Sequence, residues 1–357
     1  MKRLLTTLAA CAALVTGFAL GSVSAQELDL SRKESFAQIG AWANAPVDAA
    51  RYNKEPPYRV GLSAGYLSNS WILFAAQYVR HEVSLHPEIA ELIVTDAGFN
   101  PAKQAADIED LLSKKIDLLL FWPVDEKAIL PALRKVADQG VVTVNVGYNF
   151  MHSPAVTANA YVDQWAQSAE VARRLGESLG GKGKIFAMLP IAGSSAAVVQ
   201  LAALKDVLSD YPDIDLVSVE YGDWNRAKAK QLTENLLQRF DRIDGVFSPA
   251  GQMSMGVLEA FDEAGRLDDV TMSPADEYNG WTKLVSESGN WGSVTSGLEV
   301  GRAAVKHGLA ILNGERVTNA VVVPTRYLAP EEAAKLYQPD QPDDWWPSDL
   351  PAPWLPE

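Results

Sequence analysis

From Tyr58 onward the chain alternates short runs rich in Val, Ile and Leu with stretches patterned as helices. "YRVGLSAG", "IAELIVTDAG", "IDLLLFWP" and "GVVTVNVG" are each followed by an amphipathic segment. Such alternation predicts a parallel sheet covered by helices on both faces. "NPAKQAADIEDLLSKK" shows the helical half of the unit. Asn100 can cap, Pro101 fits the first helical position, and Ala102, Ala105, Ile108, Leu111 and Leu112 share one apolar face.

A second series starts near Asp163, a candidate helix cap. Its strands are "KIFAMLP", "IDLVSVEYG", "DGVFSPA" and "DVTMSPAD", with helices between them, among them "NRAKAKQLTENLLQRF", capped by Asp223 or Asn225. The strand "SVTSG", a long helix over 300–312 and a last strand "AVVVPTRYLA" follow. Two successive units of similar size predict an α/β protein of two similar Rossmann-like lobes with parallel sheets. Residues 58–160 with about 298–326 form the first, and 161–297 with about 327–337 the second. Ligands of open parallel sheets sit beyond the carboxyl ends of the strands, so two lobes with those ends facing each other make a cleft. Residues 26–57 read as a polar, irregular extension ending at Pro56-Pro57, and 338–357 as a Pro- and Trp-rich tail whose aromatics strap a lobe surface.

The first residues set the compartment. Lys2 and Arg3, an uncharged stretch over 4–20 and the small run Val23-Ser24-Ala25 predict a secretory signal peptide over 1–25, cleaved after Ala25. A membrane anchor over the same stretch is disfavoured by its threonines, glycines and small-residue end, and a lipoprotein signal at Cys11 by the short apolar run before it. Cys11 is the chain's one cysteine, so cleavage leaves no disulfide, thiolate metal site or cysteine nucleophile. Losing Lys2 and Arg3 takes the formal charge from −14 to −16, and no block of Lys or Arg interrupts that surface. Nucleic acid is therefore not an expected partner. The expectation is a soluble, freely diffusing exported protein.

Just past the strand ends stand Asn69, Ser70 and Trp71, then Asp96, Trp122, Asn145, Ser194, Ser195, Trp224, Gln252 and Asp276. The set is short of histidine and rich in amides, carboxylates and tryptophan. Amides and carboxylates bridge neighbouring hydroxyls, and an indole face suits the C–H face of a sugar ring. That combination describes a carbohydrate site that holds its ligand without reacting with it. Trp71 and Trp224 are read as cleft residues, Trp122 as core or cleft, and Asp96 as a turn-former. His and carboxylate spacings never converge on a metal site, and no cofactor is expected.

Taken together, "NSW", "DAGFNPAKQAADIEDLLSKKIDLLLFWPVD", "PIAGSSAA", "GVFSPAGQMSMGVLEAF" and "AILNGERV" resemble periplasmic sugar-binding proteins of the ribose/galactose type, the receptors of bacterial sugar ABC importers. The likeness covers about residues 57–328. It implies two hinge-linked lobes of the type I periplasmic binding protein fold, three crossovers, a ligand clamped between the lobes, and closure that presents both to a membrane permease. Position by position, it implies that Asn69 and Trp71 grip the sugar, Trp122 takes a polar contact position and Asn145 stands for a strand-end aspartate. It further implies that Gln200 stands for an arginine, Trp224 for a stacking phenylalanine and Asp276 for a carboxylate bridging hydroxyls, with a hinge-side contact near Thr295 or Gly297. Val146 and Gln200 replace two arginines of ribose binders, and Ala250 an asparagine. The expected ligand is therefore another neutral monosaccharide, a deoxy sugar or a polyol, held by Asn69, Ser70, Trp71, Trp122, Asn145, Gln200, Trp224 and Asp276.

Two alternatives follow from the residues. Gly61-Leu62-Ser63-Ala64-Gly65 has the spacing of a serine nucleophile elbow, but Tyr66 to Ser68 separate it from the helix and Ser63 alternates as a strand residue would. A receptor of the same fold can also report to a sensor kinase or chemoreceptor instead of a permease.

Overall fold

The computed structural model describes residues 29–148 and 150–356. The expected signal peptide, with Cys11, lies outside the described residues. The chain opens with helix α1 (Lys33–Ala43). The first series then runs β1 (Tyr58–Ala64), α2 (Ser70–Ser84), β2 (Ile89–Asp96), α3 (Pro101–Ser113), β3 (Leu118–Trp122), α4 (Glu126–Asp138), β4 (Val142–Gly147) and β5 (Ala158–Val162). The second runs α5 (Gln164–Ser178), β6 (Lys182–Leu189), α6 (Ser195–Leu208), β7 (Asp213–Tyr221), α7 (Arg226–Arg239), β8 (Gly245–Phe247), α8 (Gly251–Glu263), β9 (Thr271–Met272), β10 (Ala275–Asp276), α9 (Asn279–Ser288) and β11 (Ser293–Val294). Helix α10 (Val300–Leu312) and strands β12 (Ala320–Val323) and β13 (Tyr327–Leu328) follow.

Strands β12-β5-β4-β3-β1-β2 form a parallel sheet of the first lobe, and β7-β6-β8-β9 a parallel sheet of the second. A small sheet, β10-β11-β13, sits beside the second, with β13 antiparallel to β11. Up to β13 the described chain thus passes between lobes three times: after β5, over 295–299, and over 324–326.

Among the described residues, six helices start on a side-chain cap. Asn69, Asn100, Asp125, Asp163, Ser194 and Asn225 accept the backbone N–H three residues on at 2.9, 3.0, 2.9, 3.0, 3.2 and 2.8 Å. Each cap satisfies a donor that the first turn would otherwise leave open. In the first lobe, Val60, Leu62, Leu118, Leu120 and Val144 pack towards α2 and α10, while Leu119 and Phe121 pack with Ile108 and Leu111 of α3 on the other face. Helices α2 and α10 approach closely because position 301 is glycine; a Cβ there would stand 2.2 Å from the Ala75 carbonyl oxygen.

Three expectations are corrected. Residues 26–57 are not irregular throughout, because α1 forms within them. Phe36, Ile39 and Ala43 fall on one helical stripe, and Ile39 and Ala43 pack with Tyr161 and Ala320 while Phe36 meets Trp165 at 4.5 Å. "DVTMSPAD" is two strands, β9 and β10, in different sheets. "AVVVPTRYLA" is likewise divided into β12 and β13. Pro274 and Pro324 stand at the two breaks, where a residue without an N–H cannot continue a ladder.

Candidate functional site

The loop from β1 to α2 builds the first wall. Gly65 lets it pass tightly under β3, since a Cβ would lie 2.8 Å from the Trp122 oxygen and 2.9 Å from the Val124 nitrogen. Asn69 is half-buried, and its Oδ1 takes the Ile72 N–H at 2.9 Å. The Ser70 hydroxyl accepts from Trp346 Nε1 at 2.8 Å. Trp71 follows, half-buried, packing against the first lobe's core and against the cluster in which Phe74 and Tyr78 of its own helix meet second-lobe residues, and lying 4.7 Å from the Tyr148 ring. Its indole N–H is buried with no hydrogen-bond partner. An unpaired buried donor of this kind costs on the order of 1–3 kcal/mol, which a ligand acceptor would recover.

Of the two readings open for Trp122, the structure takes the core. The residue is 5% exposed, its indole N–H donates to the Tyr66 carbonyl at 3.0 Å, and its own carbonyl accepts from Gln104 Nε2 at 2.8 Å. It positions Tyr66 instead of offering a polar contact. Asn145, 2% exposed at the end of β4, gives an amide proton to Asn159 Oδ1 at 3.0 Å. That same oxygen accepts the Met151 N–H at 2.8 Å, so the pair anchors the loop following Tyr148.

Asp276 ends β10 on the second lobe. Its Oδ1 accepts the N–H of Gly251, the first residue of α8, at 2.8 Å, an approach only glycine permits because a Cβ would come within 2.9 Å of that oxygen. Burial pushes its carboxyl up to about 8, the neighbouring Glu277 adds to the rise, and the N–H groups of Gly251 and Tyr278 oppose it. Glu277 binds the second crossing: its Oε1 accepts from Ser296 N and Oγ, both at 2.9 Å, while Oε2 is buried without a partner. Burial pushes this carboxyl up to about 7. The two acids face the first lobe at Tyr148, whose hydroxyl is raised well above its usual range by burial and then by Asp276 and Glu277. Tyr148 Oη donates to the Ser296 carbonyl at 3.2 Å, and its ring packs on Trp71. A continuous path therefore runs from the indole of one wall to the carboxyls of the other.

Gln200 on α6 is 3% exposed, with its side-chain oxygen unpartnered. Trp224 is half-buried against the second lobe's core, and both it and Asp223 have φ of +54°, a backbone that bulky residues hold only when their surroundings enforce it. At the hinge side, Thr295 uses its Oγ1 to accept the Arg326 N–H at 2.9 Å, tying two crossings together, and Gly297 has φ of +69° with Val162 Cγ2 only 2.6 Å from where a Cβ would stand. Gly297 has no side chain to offer a ligand, while the Thr295 hydroxyl keeps a proton to donate.

Asp96 is a turn-former, accepting the Gly98 N–H at 2.9 Å. Ser63 lies inside β1 and is fully buried, which a nucleophile at a strand-to-helix elbow cannot be. No cluster able to hold a metal occurs among the described residues, and none of their helices is long and apolar enough to cross a membrane.

Trp71 Nε1 is an open donor, and Gln200 Oε1 and Glu277 Oε2 are open acceptors, drawn from both lobes. A molecule bearing hydroxyls, each able to donate and accept, matches that mixture. Sequence reasoning missed Tyr148 and Glu277. Both follow directly on residues at strand ends, Gly147 and Asp276, so carrying the strand-end rule one residue further would have found them.

Among known proteins, the chain is 27% identical over 177 residues to the xylitol-binding protein of Mycolicibacterium smegmatis, covering 49% of this chain and 50% of that one. It thus spans about half the length of this curated relative. The match to the ribose import binding protein of Bacillus subtilis is longer, 24% over 270 residues, covering 75% of this chain and 86% of that one. A Bacillus halodurans ABC transporter solute binding protein solved with myo-inositol superposes with a TM-score of 0.71 at 21% identity, covering 79% of this chain and 98% of that one. The profile of the family described as "Periplasmic binding protein domain" matches residues 60–316.

Proposed function

The chain belongs to the periplasmic binding protein domain family, and from that premise we propose that it is a receptor for a neutral monosaccharide or related polyol, which it encloses between its lobes by hinge closure. It acts in the periplasm as a monomer, after removal of a signal peptide, and presents the closed form to the permease of an ABC importer. A family of binding domains, with Ser63 buried in a strand, leaves no place for catalysis. The observation that carries the reading is the unpartnered indole N–H of Trp71, whose ring packs on Tyr148, the residue that bonds Ser296 beside Glu277 of the second lobe.

Closure follows from differential contact. A ligand shifts the open–closed equilibrium only through bonds available in the closed form, and here Trp71 and Asn69 lie on one lobe, Asp276, Gln200 and Trp224 on the other. Val146 and Gln200 supply no cation, so a sugar acid or phosphate would find no counter-charge from either beside the two buried carboxyls. The names of the relatives, xylitol and ribose among them, support a small polyhydroxy ligand. A thermal-shift screen of xylitol, D-ribose, D-allose and myo-inositol tests it, since a ligand binding only the folded state raises the melting temperature. Neutral polyols should stabilise the protein. Stabilisation by sugar phosphates alone would refute the reading.

A further inference from the structure

The last segment of the chain does not lie on one lobe; it crosses from the second to the first. On the second lobe it is held by the start of α9. Asn279 Nδ2 donates to the carbonyls of Gln338, Gln341 and Pro342 at 3.0, 3.1 and 3.1 Å, and the N–H groups of Asn279 and Gly280 donate to the carbonyls of Trp345 and Asp343 at 3.0 and 2.9 Å. Arg226 of α7 pairs with the Asp343 carboxylate at 3.0 Å.

At Trp345 and Trp346 the partners begin to change lobe, the Trp345 ring meeting Phe74 of α2 at 6.1 Å. Trp346 Nε1 donates to Ser70 Oγ at 2.8 Å, Tyr78 Oη donates to Asp349 Oδ1 at 2.8 Å, and both terminal guanidinium nitrogens of Arg302 on α10 bond the Asp349 carboxylate at 2.9 Å. Further on, Trp354 meets the His81 ring at 5.4 Å. The partners Ser70, Tyr78 and His81 follow one another along α2, so the tail runs along that helix.

Trp346 is the crossing point. It is 5% exposed, with Ser70 on one side and the Tyr278 ring 5.5 Å away on the other. Ser70 adjoins Asn69 and Trp71; Tyr278 adjoins Glu277 and Asp276. The indole therefore joins the two edges of the cleft. A hinge motion that carries α2 away from α9 must detach the tail from one of them.

We propose that residues 338–355 form a latch across the mouth of the cleft, with Trp346 as its keystone, that holds the lobes together and makes release of the tail from α2 a step in ligand exchange. The inference rests on the receptor reading above, and the two are separable by experiment.

Spin labels on Asp110→Cys of α3 and Asp241→Cys after α7, both exposed and on opposite lobes, report the lobe separation in a Cys11→Ser chain. Without ligand, the intact tail should give one narrow distance. The Trp346→Ala/Asp349→Ala variant should give a broad distribution with a longer component, which millimolar xylitol, D-ribose or myo-inositol narrows again. Asp349→Ala alone, which leaves Trp346 in place, should fall between the two and guards against a double variant that fails to fold. Equal distributions for the intact and variant chains would overturn the latch; whether any polyol narrows either one judges the receptor reading independently.

Discussion

Replacing Asp276 with asparagine should stabilise the unliganded protein at high pH while weakening its grip on ligand. The carboxyl sits in the cleft beside Glu277, with two backbone N–H groups as its favourable partners, and its pKa is pushed from an ordinary 3.8 to about 8. A raised pKa in the folded state means that folding favours the protonated form. The associated stability is fully present below about pH 4 and is lost as pH rises towards about 8. At about 1.4 kcal/mol per pKa unit, a rise of about four units sets a ceiling on the order of 5 kcal/mol. Asp276 is only half-buried, so solvent reduces the expected loss to roughly 2–3 kcal/mol. Asparagine keeps an oxygen for the Gly251 N–H and cannot ionise. Urea unfolding at about pH 4 and about pH 9 measures the difference. The two proteins should be nearly equal at the lower pH, with Asp276→Asn more stable by roughly 2 kcal/mol at the higher one. Parallel pH profiles, or a wild-type advantage that grows with pH, would refute the burial argument.

Other positions separate ligand contact from packing. Trp71→Ala should weaken polyol binding by about 1–3 kcal/mol in calorimetry, because the stacked ring and open indole N–H are both lost. Trp122→Ala should cost about 3–5 kcal/mol of folding stability in urea titrations, as a core residue whose removal also frees Tyr66. Gly301→Ala should lower the melting temperature markedly, because the added methyl would meet the Ala75 carbonyl oxygen at 2.2 Å, against backbone that cannot swing aside.

The lobes were legible because their signal is local: capped amphipathic helices between apolar strands, with Asn100, Asp163 and Asn225 in the capping positions that their types dictate. What escaped depends on distant contacts. Helix α1 is one short amphipathic stripe whose partners, Tyr161 and Trp165, lie more than a hundred residues away. Trp122 looked equally suited to core and cleft until the Tyr66 carbonyl was seen to take its N–H. Glu277 and Tyr148 gain their meaning from each other across the lobes, through Ser296. Composition marked the tail as aromatic, but only the structure shows it crossing between lobes.

Calorimetric titration of xylitol, D-ribose and myo-inositol into the wild-type, Trp71→Ala and Asp276→Ala proteins tests the central claim most directly. At least one polyol should bind the wild type, weaken on loss of the indole, and weaken further on loss of the carboxylate that would pair its hydroxyls in a closed cleft. Unchanged affinity in both variants would place the ligand somewhere other than between these two walls.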